Sequence, residues 1–271
     1  GLEPTPEEYV ANLVEVFREV RRVLRDDGTL WLNLGDSYNG SGGAGGDYSK
    51  GGLKEGQPKY PGRNIATLKS KDLVGIPWRV AFALQEDGWY LRSDIIWHKP
   101  NPMPESVTDR PTKAHEYIFL LSKARLYHYD HEAIKEPVMS RQTEQSVSFK
   151  RKNSKREQPI PSQTYGTHRP NRDDTPLRNT RNKRSVWTVP TRPFPEAHFA
   201  TFPPKLIEPC ILAGCPGGGV VLDPFCGSGT TLLVATENHR KSIGIELNPD
   251  YIEIAKKRLG AIQLRLVMGD A

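Results

Sequence analysis

Residues 220–231, V-V-L-D-P-F-C-G-S-G-T-T, constrain the fold more than any other stretch of the chain. The apolar run Val220-Val221-Leu222 reads as a buried strand. It ends at Asp223-Pro224, because proline cannot continue a ladder. Gly227-Ser228-Gly229 then turns the chain, and from Thr230 the run Leu232-Leu233-Val234-Ala235 reads as an apolar helix. Glycines permit a sharp turn and a close backbone approach to a ligand, and a helix N-terminus presents free N–H groups. A second strand, residues 242–245, ends in Glu246, where a carboxylate can bind both hydroxyls of a ribose. The unit points to an adenosine-containing cofactor. The bland alternative is an ordinary tight turn in an α/β protein. No G-x-x-x-x-G-K-[ST] loop is present, which argues against a nucleoside triphosphate. The third glycine of the dinucleotide fingerprint is also absent, which argues against NAD.

At 271 residues the chain can bury one large α/β domain and carry an insertion. Glycine and proline number 24 and 23, so long loops are expected. No apolar run approaches a membrane span and no signal peptide is evident. The three cysteines, Cys210, Cys215 and Cys226, make no pair of C-x-x-C motifs that would suggest zinc, and a reducing intracellular setting is the default. Residues 135–184 hold thirteen Lys and Arg against five Asp and Glu, an excess of +8 in a chain of net charge +6, so the remainder carries −2. That is the footprint of a polyanion-binding region on a near-neutral scaffold.

Thr5 suits the cap of a first helix, with Pro6, Glu7 and Glu8 in its first turn and apolar residues from Tyr9 to Leu24 at helical spacing. Residues 29–34, T-L-W-L-N-L, form a strand ending in Gly35-Asp36; Asp36 either lies near a cofactor or caps the turn at Ser37. Residues 38–63 are glycine-rich and aperiodic, either a lid or a surface excursion. Residues 71–85 read as a helix with Leu73, Val74, Ile76, Trp78, Val80, Ala81, Phe82 and Leu84 largely buried, and residues 89–98 as a strand. Proline holds residues 99–111 extended. They suit either a pocket wall for an extruded base, with Lys99, Asn101 and Arg110 toward phosphate or base edges, or a structural corner. Residues 117–122 are a strand, with 126–129 as its hairpin return. His115-Glu116 lacks partners at zinc spacing, so no metal is expected. Residues 132–184 alone read as a disordered linker. Order resumes at 185–189. Helices follow over 206–213 and, capped by Asn248, over 249–259; residues 263–271 read as a strand.

D-P-F-C-G-S-G-T-T followed by G-I-E-L-N-P-D-Y (244–251) resembles the cofactor half of beta-class DNA amino-methyltransferases. These use S-adenosylmethionine to methylate the exocyclic amine of adenine or cytosine. H-F-A-T-F-P-P-K-L (198–206), W-H-K-P-N-P-M-P-E-S (97–106) and A-H-E-Y-I-F-L-L-S-K (114–123) fit the same family, in its order, across most of the chain. The resemblance implies an α/β, Rossmann-like methyltransferase fold with a circularly permuted motif order and a basic inserted target-recognition region. It divides the chain into a catalytic half (1–131), the insertion (132–184) and a cofactor half (185–271). It implies S-adenosylmethionine contacts from Asp223, Pro224, Phe225, Cys226, Gly227, Ser228, Gly229, Thr230, Glu246 and Leu247, with His198, Ala200 and Asp36 toward the methionine end. Double-stranded DNA contacts are expected from Lys99, Asn101, Arg110, Lys150, Arg151, Lys152, Arg181, Lys183 and Arg184. A cytoplasmic protein of bacterial or phage origin, with a restriction endonuclease as counterpart, is also implied.

One family element is not found. Amino-methyltransferases of this class use aspartate or serine followed by Pro-Pro and an aromatic residue. The loop accepts hydrogen bonds from the target amine, and its ring stacks on the flipped base. This sequence has no such tetrapeptide; its only Pro-Pro, Pro203-Pro204, belongs to F-P-P-K. In the family the loop precedes a helix like that of residues 5–24, and the final R-L-V-M-G-D-A resembles the strand that comes before it. The two ends look like the sides of one gap, and the loop is expected upstream of Gly1. No residue present is assigned the catalytic role. The expected function is site-specific DNA methylation by base flipping, with the amine as nucleophile and Cys226 as a small packing residue. The alternative is a cofactor- and DNA-binding module without turnover.

Overall fold

The computed structural model describes residues 3–40, 65, 67–138, 179–191 and 201–268, with side chains as far as residue 260. It separates into two compact units, residues 1–133 with 184–271, and residues 134–183. The segments expected as first and last thus share one unit.

In that unit α1 (Pro6–Val23) begins where Thr5 Oγ1 accepts the Glu8 N–H at 3.2 Å. Glu7 and Glu8 sit at the positive end of the helix dipole, Arg21 and Arg22 at the negative end. β1 (Thr29–Leu34) follows. α2 (Ile76–Glu86) starts later than the periodicity predicts, because Gly75 turns left-handed at φ +76° immediately before it. Leu73 and Phe82 are half exposed rather than buried, the Phe82 ring lying 5.4 Å from that of Trp78. The chain between β1 and α2 is tied at its feet. Tyr38 bridges Leu73, the Asn39 N–H donates to Asp72 O at 2.8 Å, and the Val74 N–H donates to Ser37 O at 2.9 Å.

β2 (Tyr90–His98) and β3 (His115–Ser122) follow. Residues 126–129 form no strand, against expectation. Their backbone bonds go elsewhere: the His128 N–H donates to Asp27 O at 2.8 Å and the Asp130 N–H to Ala213 O at 2.9 Å. The smaller unit contributes β4 (Glu136–Pro137) and β5 (Thr180–Arg181), an antiparallel pair. Back in the larger unit, β6 (Val186–Thr188) completes a sheet of order β1-β3-β2-β6. β3 is antiparallel to both neighbours, and β6 is parallel to β2.

α3 (Pro204–Gly214), β7 (Val220–Asp223), α4 (Thr230–Glu237), β8 (Lys241–Gly244) and α5 (Pro249–Met268) complete the chain, with β7 and β8 parallel. Among the described residues β1 and β7 each keep one edge without a partner strand. α5 continues to Met268, through residues expected to be a strand. Ala, Gln, Leu, Arg and Met favour helix, and no strand among the described residues pairs with them. No helix among the described residues is long and apolar enough to cross a membrane.

The core has two main faces. Phe17 of α1 and Leu84 of α2 pack with Leu32, Phe119 and Leu121 on one side of the larger sheet. On the other side Ile95, Trp97, Ile118 and Trp187 meet Leu206 and Cys210 of α3. Ile207 and Ile211 of α3 pack with Val221, Val234 and Ala235, so this helix joins the two sheets. Phe119 is fully buried between α1, α2 and the sheet. Phe119→Ala is expected to lower unfolding free energy by about 3–5 kcal/mol, read as a lower urea midpoint.

Candidate cofactor site

The glycine turn is built by its neighbours' backbone. Asp223, at the end of β7, accepts the Phe225 N–H on Oδ1 at 3.0 Å and the Thr231 hydroxyl on Oδ2, which closes the first bend. Gly227 and Gly229 have φ +50° and +78°, and Gly229 is the N-cap of α4. The Cys226 N–H donates to Ile245 O at 3.0 Å and the Gly229 N–H to Cys226 O at 2.8 Å. Gly244 admits no side chain: an added Cβ would stand 2.6 Å from Leu232 Cδ1 and 2.8 Å from Cys226 Sγ.

Glu246 binds this turn to the end of β8. Its Oε2 accepts the Gly227 N–H at 2.9 Å, and its Oε1 accepts the N–H groups of Leu247 and Asn248, each at 2.9 Å. Asn248 Oδ1 in turn accepts the Asp250 N–H at 2.9 Å and starts α5. Phe225 is 57% exposed, with its ring 6.4 Å from Phe17, and Leu247 is 95% exposed. Asp223, Pro224, Phe225, Cys226, Gly227, Ser228, Gly229, Thr230, Glu246 and Leu247 therefore form one continuous patch around a helix N-terminus, where the first N–H groups lack intrahelical partners.

Asp36 acts as a cap. Its Oδ1 accepts the N–H groups of Ser37 at 2.9 Å, Gly75 at 3.0 Å and Ile76 at 3.2 Å, so β1 and the start of α2 share one carboxylate. Three of the residues expected at DNA are engaged within the fold. Lys99 Nζ pairs with Glu116 Oε1 and lies 4.2 Å from the Trp97 ring centroid, while Asn33 Nδ2 donates to Glu116 Oε2 at 3.3 Å. Asn101 exchanges two bonds with the Thr191 backbone, at 3.0 and 3.2 Å. Arg110 pairs with Glu105 and stacks 3.9 Å from the Tyr38 ring centroid. In the smaller unit Arg181 Nε donates to Glu136 Oε1 at 2.8 Å; Lys183 follows β5. Arg184 is exposed, and its carbonyl accepts the Trp187 indole N–H at 2.7 Å. His198, Ala200, Lys150, Arg151 and Lys152 lie outside the described residues. Among the described residues no group of three or more His, Cys, Asp or Glu makes a metal-ligand set.

Sequence reasoning missed Arg258. Its Nη1 donates to Ser228 O, Ser228 Oγ and Thr230 Oγ1 at 2.7, 2.9 and 3.1 Å. The available signal was indirect: two hydroxyl residues in a turn expected to be buried need a donor from somewhere.

Residues 2–257 match the N6_N4_Mtase family, described as DNA methylase. The chain is 47% identical over 262 residues to the Type II methyltransferase M.SmaI of Serratia marcescens, covering 96% of this chain and 76% of that protein. It is also 47% identical over 266 residues to the Type II methyltransferase M.Cfr9I of Citrobacter freundii, covering 96% and 74%. Its fold is similar to that of the cytosine-N4-specific PvuII DNA methyltransferase, with TM-score 0.59, 19% identity and coverage of 93% and 71%. It is also similar to a DNA modification methylase of Thermus thermophilus in complex with S-adenosyl-L-methionine, with TM-score 0.53, 22% identity and coverage of 94% and 78%. The fold is the α/β, Rossmann-like methyltransferase fold. The chain belongs to the N6_N4 family of DNA methylases.

Proposed function

We infer that this chain binds S-adenosylmethionine at the β7–α4 turn and works as a site-specific DNA amino-methyltransferase. The observation that carries the reading is the glycine turn between a parallel strand pair and a helix N-terminus, with Glu246 at the tip of the second strand. Family membership favours methyl transfer over a binding module without turnover. The basic excess of residues 135–184 suits duplex DNA. The Type II names of the relatives support a restriction endonuclease as counterpart, and such a protection role would be exercised on DNA in the cytoplasm.

The residues fit the cofactor. Two N–H groups occupy Glu246 Oε1 but only one occupies Oε2, which leaves an acceptor site for a ribose hydroxyl. Exposed Phe225 and Leu247 offer apolar surface beside it for an adenine ring. When bound, the cofactor supplies an electrophilic sulfonium methyl. Asp223 holds the first bend open through Phe225 and Thr231, and the first turn of α4 presents N–H groups suited to a carboxylate. The target base must leave the helix stack to meet that methyl. Its exocyclic amine is the nucleophile, so no covalent bond to the protein is required. No residue is assigned to the amine, because the sequence holds no [SD]-P-P-[YFW] tetrapeptide.

Cys226 agrees with a packing role. Burial, then the carboxylates of Asp223 and Glu246, raise its thiol above the usual range, so the reactive thiolate is scarce at neutral pH. Alkylation of Cys226 by iodoacetamide should therefore be slower than that of a free thiol at pH 8 and accelerate only at higher pH, as peptide mass mapping would report.

Methyl transfer is tested directly with labelled S-adenosylmethionine and mixed-sequence duplex DNA, followed by nucleoside mass spectrometry. Methyladenine or methylcytosine supports the reading and names the base; cofactor binding without transfer counts against turnover. Glu246→Ala removes three backbone bonds from the turn and should weaken S-adenosylmethionine by at least about ten-fold in calorimetry. Neutralising Lys150, Arg151 and Lys152 together should weaken duplex binding and flatten its salt dependence by about one slope unit per lost phosphate contact. Fluorescence anisotropy across a salt series reads both, and indifference to the change would remove these residues from the DNA surface.

A further inference from the structure

Ser228 and Thr230 are 4% and 6% exposed, buried polar side chains inside the turn that faces the cofactor. Both hydroxyls accept from Nη1 of Arg258, and so does the Ser228 carbonyl. The peptide joining Ser228 to Gly229 is therefore fixed at both ends, its carbonyl on Arg258 and its N–H on Cys226 O at 2.8 Å. α5 comes close enough to do this because Ala255 lies directly against the turn. A Cβ added to Gly229 would stand 2.8 Å from the Ala255 Cβ. Ala255 and Arg258, three apart, share a helix face. One presents almost no side chain where the helix touches the turn, and the other reaches past it to the hydroxyls.

We propose that Arg258 is a positioning residue for S-adenosylmethionine: acting through Ser228 and Thr230, it fixes the glycine turn in the conformation that receives the cofactor. The proposal rests on the cofactor reading given above. It places the rigidity of the site in α5, outside the glycine motif, and makes the guanidinium the link between the two. A buried turn whose hydroxyls lose their donor must either open to water or rearrange, and both move the N–H groups that a ligand would meet.

The test uses the full chain, with S-adenosylmethionine as probe in calorimetry and duplex DNA in anisotropy. Wild type, Arg258→Met, Thr230→Val and the double variant make a cycle. Arg258→Met is expected to raise the S-adenosylmethionine Kd roughly ten-fold while leaving duplex affinity unchanged. The double variant should lose little more than either single variant, because both remove the same contact. Arg258→Lys, which restores a donor, should recover part of the loss; it also replaces Arg258→Met in the cycle if that variant fails to fold. Equal cofactor affinity in wild type and Arg258→Met, strictly additive losses, or a parallel loss of duplex binding would each overturn the positioning role. A wild-type chain that does not bind S-adenosylmethionine would overturn the cofactor reading and this proposal together.

Discussion

The burial of β3 on both faces is the constraint on which the larger sheet depends. Residues 118–122 are five consecutive buried positions, held between β1 and β2. A strand covered on both sides reads as a continuous apolar run rather than an alternation. Its alternate side chains then separate the two layers: Phe119 and Leu121 face α1 and α2, and Ile118 faces the tryptophans and α3. Because β3 runs antiparallel between its neighbours, β1 and β2 point the same way, and β6 follows β2. Gly35-Asp36, Lys99 and Val189 consequently emerge at one end of the sheet. That end is where open α/β sheets usually receive ligands.

Much of the polarity at that end serves the fold. Asp36 sets the start of α2, and Asn101 holds the Thr191 backbone. Lys99 and Glu116 are only 18% and 23% exposed as side chains, so losing either would leave the other charge poorly compensated. The proline-rich segment after β2 is thus cross-braced to β3, to Thr191 and, through Arg110, to Tyr38. The structural-corner reading of residues 99–111 accounts for these contacts. The patch around Glu246 is different: its acceptor capacity is incompletely used, and its apolar side chains Phe225 and Leu247 face solvent.

What could be read from the sequence was what depends on near neighbours. Thr5 as a cap, the strand ending at Asp223, the glycine turn and the helix from Thr230 are all decided within a few residues. Errors arose where distant partners intervene. Residues 126–129 look like a hairpin arm until Asp27 and Ala213 claim their N–H groups, a contact across about a hundred residues on one side. The start of α2 was misplaced because its cap, Asp36, lies some forty positions upstream. Arg258 was invisible for the same reason: nothing in A-K-K-R announces that its last member reaches back thirty residues to Ser228. The Lys99–Glu116 pair joins two strands that only the sheet brings together, and a lone lysine after a strand looks like an arm for phosphate until then.

The tied feet between β1 and α2 have a consequence for how this scaffold can vary. Residues 37–39 and 72–74 form a neck, closed by backbone bonds, and the caps at either side are complete without help from what lies between. The entropy of closing a segment across such a neck grows only with the logarithm of its length, about 0.6 kcal/mol for each doubling. Adding or deleting residues between positions 40 and 65 therefore leaves the register of β1 and the start of α2 where they are. This is a point at which the chain can lengthen or shorten at little thermodynamic cost, while the sheet on either side of it keeps its shape.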